Sequence, residues 1–264
     1  MPSRRARPAL IVAGMHRSGT SVVSLAIQQL GIDLGGAGDR SPHNPEGYGE
    51  DLEVVALHRR LFRAAFEGSE ERAGHHHDWG YDPDETFDAA SFGHIEEEVD
   101  AFLDRGDGDG PWGWKDPRTT LVLDQWTAAL DDPRVLHVVR RPAEVAASMA
   151  ALGEGPWQDP VLPHRIWRYY NRHVLRFARR TSVPCAIVHG SIGVAPPAAL
   201  ASVLRSRLGL DVDPTGVAFD HIRADRFAGS APRGDLPTRD RIASELLWRR
   251  LDRRAIRPDG SIRR

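Results

Sequence analysis

Residues 14 to 21 read GMHRSGTS, directly after the apolar run ALIVA at 9–13. A buried strand, a glycine turn and a helix start together make an anion site. Backbone N–H groups converge there, and the helix dipole favours negative charge. The stretch nearly fits the loop that cradles the phosphates of ATP: a glycine, four residues, a glycine, a lysine, then Ser or Thr. Gly14, Gly19 and Ser21 fit, but Thr20 stands where the lysine belongs. Arg17 lies earlier in the turn, and Ser18, Thr20 and Ser21 add hydroxyl donors. Without the lysine, a Mg²⁺-bound triphosphate is disfavoured. A helix cap would account for Thr20 or Ser21, but not for the glycines and the arginine together.

Outward from this loop, short apolar strands alternate with helical patterns. Strands are expected over 7–13, 112–114, 135–139 and 185–188. Helices are expected over 19–30, 50–66, 92–103, 120–130, 142–149, 163–180, 197–208 and 239–253. Val22, Val23, Ala26, Ile27 and Leu30 recur at helical spacing, and Gly31 marks the stop. Such alternation predicts an α/β fold with a central parallel sheet covered on both faces. Residues 33–49 and 211–237 read as irregular. No internal repeat is visible.

A chain of 264 residues at 41% hydrophobic and 27% charged is ordinary globular composition. It is read as one domain, 1–264, with an acidic insertion at about 67–110. The net charge of −2 carries no nucleic-acid signature. The apolar run after the N-terminal arginines is too short for a signal or a membrane span, so no membrane insertion and a cytoplasmic enzyme are expected. The single cysteine, Cys185, excludes an internal disulfide and a multi-cysteine metal site.

The charges are uneven. Residues 67–110 hold 15 acidic and two basic residues, leaving 33 basic and 22 acidic elsewhere. That is either a solvated acidic insertion or a basic body for an anionic ligand with an acidic flap near a second substrate. Lys115 is the only lysine among 35 Lys plus Arg. Lysine and arginine differ in shape and donor number, which singles the position out.

Lys115 lies in GWKDPRT, residues 113–119, ahead of an Asp-Pro turn. A further constellation is RRPAEVAAS, residues 140–148, which leaves a strand and enters a helix. Arg140 stands at the strand end and Ser148 about two helical turns on; arginine offers paired donors for a phosphate. Taken alone, this is a common surface strand–helix junction.

Together these motifs resemble the sulfotransferases that use 3′-phosphoadenosine 5′-phosphosulfate. GMHRSGTS looks like their phosphosulfate loop, and RRPAEVAAS like their 3′-phosphate motif. KDP is similar to the lysine segment of protein-tyrosine sulfotransferases. GMHRSGTS, NPEGYGED at 44–51 and WGWKDPR together resemble a bacterial group of the family, over residues 9–180. The resemblance implies a P-loop-type three-layer α/β/α sandwich and a donor that needs no metal. It implies that Gly14, His16, Arg17, Ser18, Gly19, Thr20 and Ser21 bind the 5′-phosphosulfate, and that Arg140 and Ser148 bind the 3′-phosphate. Lys115 and Arg17 would neutralise charge on the transferring sulfuryl group and leaving oxygen. A Glu or His would take the acceptor proton: Glu50 first, Glu46 second, Asp116 third. The acceptor would be a hydroxyl of a small molecule, glycan or natural product.

The sequence departs from this pattern in three places. Val22 stands where many cytosolic members carry an adenine-stacking Trp. His189 and Gly190 stand where relatives show Tyr-Glu-Asp. The late glycine-rich motif is missing, SAPRGD at 230–235 being a poor substitute. Two alternatives therefore stay open: a P-loop kinase-like enzyme, and a nucleotide-binding protein that has lost catalysis. His75, His76 and His77 with Asp78 lack metal-ligand spacing. GGAGDR at 35–40 follows a helix, so it is no dinucleotide fingerprint. Trp167, Tyr169 and Tyr170 read as core and rim.

Overall fold

The computed structural model describes residues 6–35, 47–66, 79–82, 85, 92–93, 95–104, 109–153, 155–219 and 236–263. Four parallel strands, β1 (Ala9–Ala13), β2 (Trp112–Lys115), β3 (Pro133–Val139) and β4 (Cys185–His189), form one sheet in the order β2-β1-β3-β4. Ile11 lies opposite Trp114 on one side and Val135 on the other. The chain leaves β1 for β2 at one edge, then crosses back to β3. The crevice between β1 and β3 at the strands' carboxyl ends is thus the switch point, where ligands bind in open parallel sheets.

The period-2 pleat sends alternate residues of β1 into two cores. Ala9, Ile11 and Ala13 pack with α2 (Leu52–Ala65), α3 (Glu96–Asp104), α4 (Leu123–Ala128), α5 (Pro142–Ala150), α6 (Leu162–Arg180) and α8 (Thr238–Asp252). Leu10 and Val12 pack with α1 (Thr20–Gln29) and α7 (Pro197–Leu208). This is the three-layer α/β/α architecture expected from the alternation. Each fully buried Leu, Ile or Val stabilises it by about 1.5–3 kcal/mol. Trp167, Tyr169 and Tyr170 are buried in the larger core.

The strands start or end within about two residues of expectation, and α7 matches at both ends. One expected helix is corrected. Residues 120–130 do not form a continuous helix. A 3₁₀ turn runs Pro117–Leu121, Val122 breaks it at φ −127°, and α4 follows. Side chains pin that turn. Asp116 Oδ1 accepts from the Arg118 N–H, Thr119 Oγ1 from Trp114 Nε1, and Thr120 Oγ1 from the Gly14 N–H. Such local side-chain bonds compete with α-helix. A second departure from expectation is α3, which begins at Glu96 rather than at 92.

Candidate active site

The loop between β1 and α1 is built on left-handed backbone. Gly14 has φ 141° and Gly19 φ 93°, and Arg17 itself sits at φ 65°. A Cβ on Gly14 would lie 2.5 Å from the Val138 carbonyl oxygen, so only glycine lets the loop leave β1 beside β3. Gly19 caps α1 without any side-chain hydrogen bond. The hydroxyls of Thr20 and Ser21 are therefore not spent on capping. Ser18 Oγ and His16 Nε2 are buried and have no hydrogen-bond partner. Buried polar atoms are rarely left so, and both atoms belong to the glycine loop.

Arg17 Nε donates to Ser148 Oγ at 2.9 Å, although 131 residues separate them. The glycine loop and the RRPAEVAAS junction thus meet across the switch-point crevice. Arg140, at the end of β3, donates from Nε to Glu144 Oε2 at 2.9 Å, and its carbonyl accepts from Trp167 Nε1. A cavity of about 460 Å³ opens beside it, lined by Val139, Arg140, His189, Ser191, Asp252 and Arg257 among others. Val22 packs against the turn after β4: a Cβ on Gly193 would lie 2.9 Å from its Cγ1.

Lys115 ends β2 and is only 1% exposed. Its Nζ donates to Glu50 Oε1 at 2.6 Å, to the Tyr48 carbonyl at 3.2 Å and to Ser21 Oγ at 3.3 Å. The first-choice base and the sole lysine therefore form one buried ion pair against the loop. Glu50 stands just ahead of α2, whose cap is Asp51. Glu46 lies outside the described residues, as do residues 75–78 and 230–235.

Asp116 does not suit the base role it was third choice for. Burial alone would raise its pKa, but the Arg118 guanidinium and the His58 contact outweigh burial and hold it well below the usual carboxylate range. Its oxygens are occupied: Arg118 Nε reaches Oδ1 at 2.8 Å and Oδ2 at 3.1 Å, and His58 Nδ1 reaches Oδ2 at 2.8 Å. Such an anion is a structural anchor rather than a proton acceptor.

Sequence reasoning did not single out His58 and Arg118, which the structure places on Asp116 beside Glu50. The signal for His58 was present: it is a polar residue at helical spacing with Val54, Leu57, Leu61 and Phe62. Arg118 stood inside the quoted KDPR. Trp79, from the acidic segment, stacks on His16 with ring centroids 4.0 Å apart, and its carbonyl accepts from the Tyr170 hydroxyl. Burial, with the Arg118, Lys115 and Arg17 cations adding to it, lowers the His16 pKa well below the usual value, so the ring is neutral at neutral pH.

Two solved structures share the fold. The sulfotransferase domain from the Synechococcus PCC 7002 olefin synthase superposes with a TM-score of 0.57 at 17% identity, covering 92% of this chain and 95% of that one. The sulfotransferase domain from the curacin biosynthetic pathway gives 0.54 at 14% identity, covering 92% and 98%. No curated protein sequence matches the chain. Residues 8–212 match the model of the sulfotransferase family, a span that includes the glycine loop, Lys115 and the Arg140–Ser148 junction. The chain belongs to the sulfotransferase family.

Proposed function

We propose that this protein transfers the sulfuryl group of 3′-phosphoadenosine 5′-phosphosulfate to an acceptor hydroxyl. The observation that carries this reading is the Arg17–Ser148 bond. It joins a loop suited to a 5′-phosphosulfate to a junction suited to a 3′-phosphate. The donor is anionic at two separate places, whereas a triphosphate is anionic at one. The unpartnered Ser18 Oγ and His16 Nε2 fit such a ligand.

Arg17, Ser18, Gly19, Thr20 and Ser21 would hold the 5′ end, with Gly14 and His16 shaping the loop. Arg140 and Ser148 would hold the 3′-phosphate beside the 460 Å³ cavity. When bound, the donor supplies an activated sulfuryl group, and no metal is needed. Glu50 takes the acceptor proton as the new S–O bond forms. Lys115 and Arg17 neutralise the charge that grows on the phosphate oxygen as the old S–O bond breaks. Trp79 stacks on His16; in this reading the acidic segment that contains it in sequence borders the acceptor site and disfavours a polyanion, so the acceptor is a small molecule, glycan or natural product. Residues 1–264 act as a single cytoplasmic domain in this reading.

Thermal melting tests it. 3′,5′-Adenosine bisphosphate should raise the melting temperature, and ATP with Mg²⁺ should do so much less. Equal or greater stabilisation by ATP would instead favour a kinase-like enzyme. Arg140→Ala should remove most of the discrimination between the bisphosphate and AMP. If labelled donor yields no transfer to any acceptor or to water, the protein binds the nucleotide without catalysis.

A further inference from the structure

Lys115 has no N–H to spare. An ammonium has three N–H donors, and Nζ already has three partners: Glu50, Tyr48 and Ser21. Turning to charge on a sulfuryl donor means giving up at least one of the three, and the case that matters for the base is Glu50. That would strand a carboxylate that is 9% exposed, and a buried charge without a partner is costly.

One other cation is in range among the described residues. Arg118 NH2 lies 3.8 Å from Glu50 Oε2, on the oxygen that Lys115 does not hold. Arg118 is 3% exposed. Its Nε grips both oxygens of Asp116, and its backbone N–H donates to the same carboxylate. Asp116 is fixed in turn by His58 Nδ1 at 2.8 Å. Trp126 Nε1 donates to His58 Nε2 at 2.9 Å, so the ring proton sits on Nδ1 and points at Asp116. Trp126 is wedged between Trp114 and Phe102 in the core. The chain Trp126–His58–Asp116–Arg118 thus runs from the packed core to the edge of the Glu50 carboxylate.

We propose that Arg118, held by this chain, is the positioning residue that keeps the Glu50 carboxylate in place once Lys115 turns from Glu50 to the donor. This rests on Glu50 being the base in the reading above. A merely structural Arg118–Asp116 pair would hold the KDPR turn and have no business with Glu50.

A double-mutant cycle separates the two. Turnover is read as release of 3′,5′-adenosine bisphosphate from labelled donor with water as acceptor. Calorimetric binding of the bisphosphate and the melting temperature are followed in parallel. Arg118→Met should lower turnover about 10²-fold, the scale of a misplaced catalytic group, while bisphosphate affinity changes less than about 3-fold. In a Glu50→Gln background the same change should cost little, because its target is gone. Asp116→Asn with Arg118→Met removes both charges of the pair together and serves if the single variant fails to fold; the same cycle applies. Multiplying effects with an impaired Glu50→Gln would overturn the role of Arg118 alone. Full turnover in Glu50→Gln would overturn the base assignment, and this proposal with it. A crystal structure with the bisphosphate and sulfate should show Arg118 within about 3 Å of Glu50 and Lys115 withdrawn. An unchanged Lys115–Glu50 pair there would also overturn it.

Discussion

Lys115 Nζ lies 2.6 Å from Glu50 Oε1, and both side chains are at least nine-tenths buried. The two residues come from the end of β2 and the approach to α2, 65 positions apart. The pair sits against the glycine loop through Ser21 Oγ, and each charge is the other's close partner.

That pairing sets a stability prediction. Lys115→Ala leaves Glu50 buried without its close partner and should destabilise the free protein by about 3–5 kcal/mol. Lys115→Met combined with Glu50→Gln should recover most of this in denaturant melts, yet stay inactive. Equal destabilisation in the double variant would mean the pair is not what stabilises this region.

Turnover separates charge from shape at the same position. Lys115→Ala should lower it by about 10²–10³-fold. Lys115→Arg should recover little, because a planar guanidinium prefers two acceptor oxygens and cannot replace a compact ammonium at one atom. Near wild-type turnover for Lys115→Arg would show that charge alone suffices.

The crevice bond would make the two ends of the proposed donor site interdependent. Ser148→Ala removes the acceptor of Arg17 Nε and should weaken binding of both the bisphosphate and adenosine 5′-phosphosulfate. A loss confined to ligands carrying a 3′-phosphate would show that Ser148 serves that phosphate and does not orient Arg17.

Gly14→Ala should abolish ligand-induced stabilisation. The added Cβ would meet the Val138 carbonyl at 2.5 Å and Thr20 Cγ2 at 2.9 Å, at a φ of 141°. The loop would have to leave the sheet. Retained bisphosphate binding, measured by calorimetry, would show that it can rearrange without loss.

His137, on β3, gives a pH dependence. Burial lowers its pKa to about 4, partly opposed by the Asn171 contact. An unfolded histidine titrates near 6.5, so between about 6.5 and 4 the unfolded chain binds the extra proton. Stability from this group is full above the unfolded value and is lost as pH falls to about 4, by about 3 kcal/mol. His164, also lowered to about 4, chiefly by burial, adds in the same direction. The drop in melting temperature from pH 7.5 to 5 should be smaller in His137→Leu; an equal drop would rule out this source.

The amino-acid sequence by itself determined the strands, most helices and the order of the three motifs. These follow from local rules: apolar runs of strand length, helical spacing in α1, and glycines where the backbone must turn left-handed. Gly14 and Arg140 could be picked out because each follows a strand, and Lys115 because it is the only lysine; parallel strands deliver their carboxyl ends to one edge. Sequence could not decide which side chains meet there. Arg17 with Ser148, Lys115 with Glu50, and Arg118 with Asp116 and His58 are set by strand order and helix packing, which bring together residues as many as 131 positions apart. Nor could local pattern foresee the 3₁₀ turn at Pro117–Leu121, because its hydroxyls are held by Gly14 and Trp114 from neighbouring strand ends. The partners of buried polar groups are a tertiary property: burial makes leaving them unpaired costly, and only the packed fold says which partner is within reach.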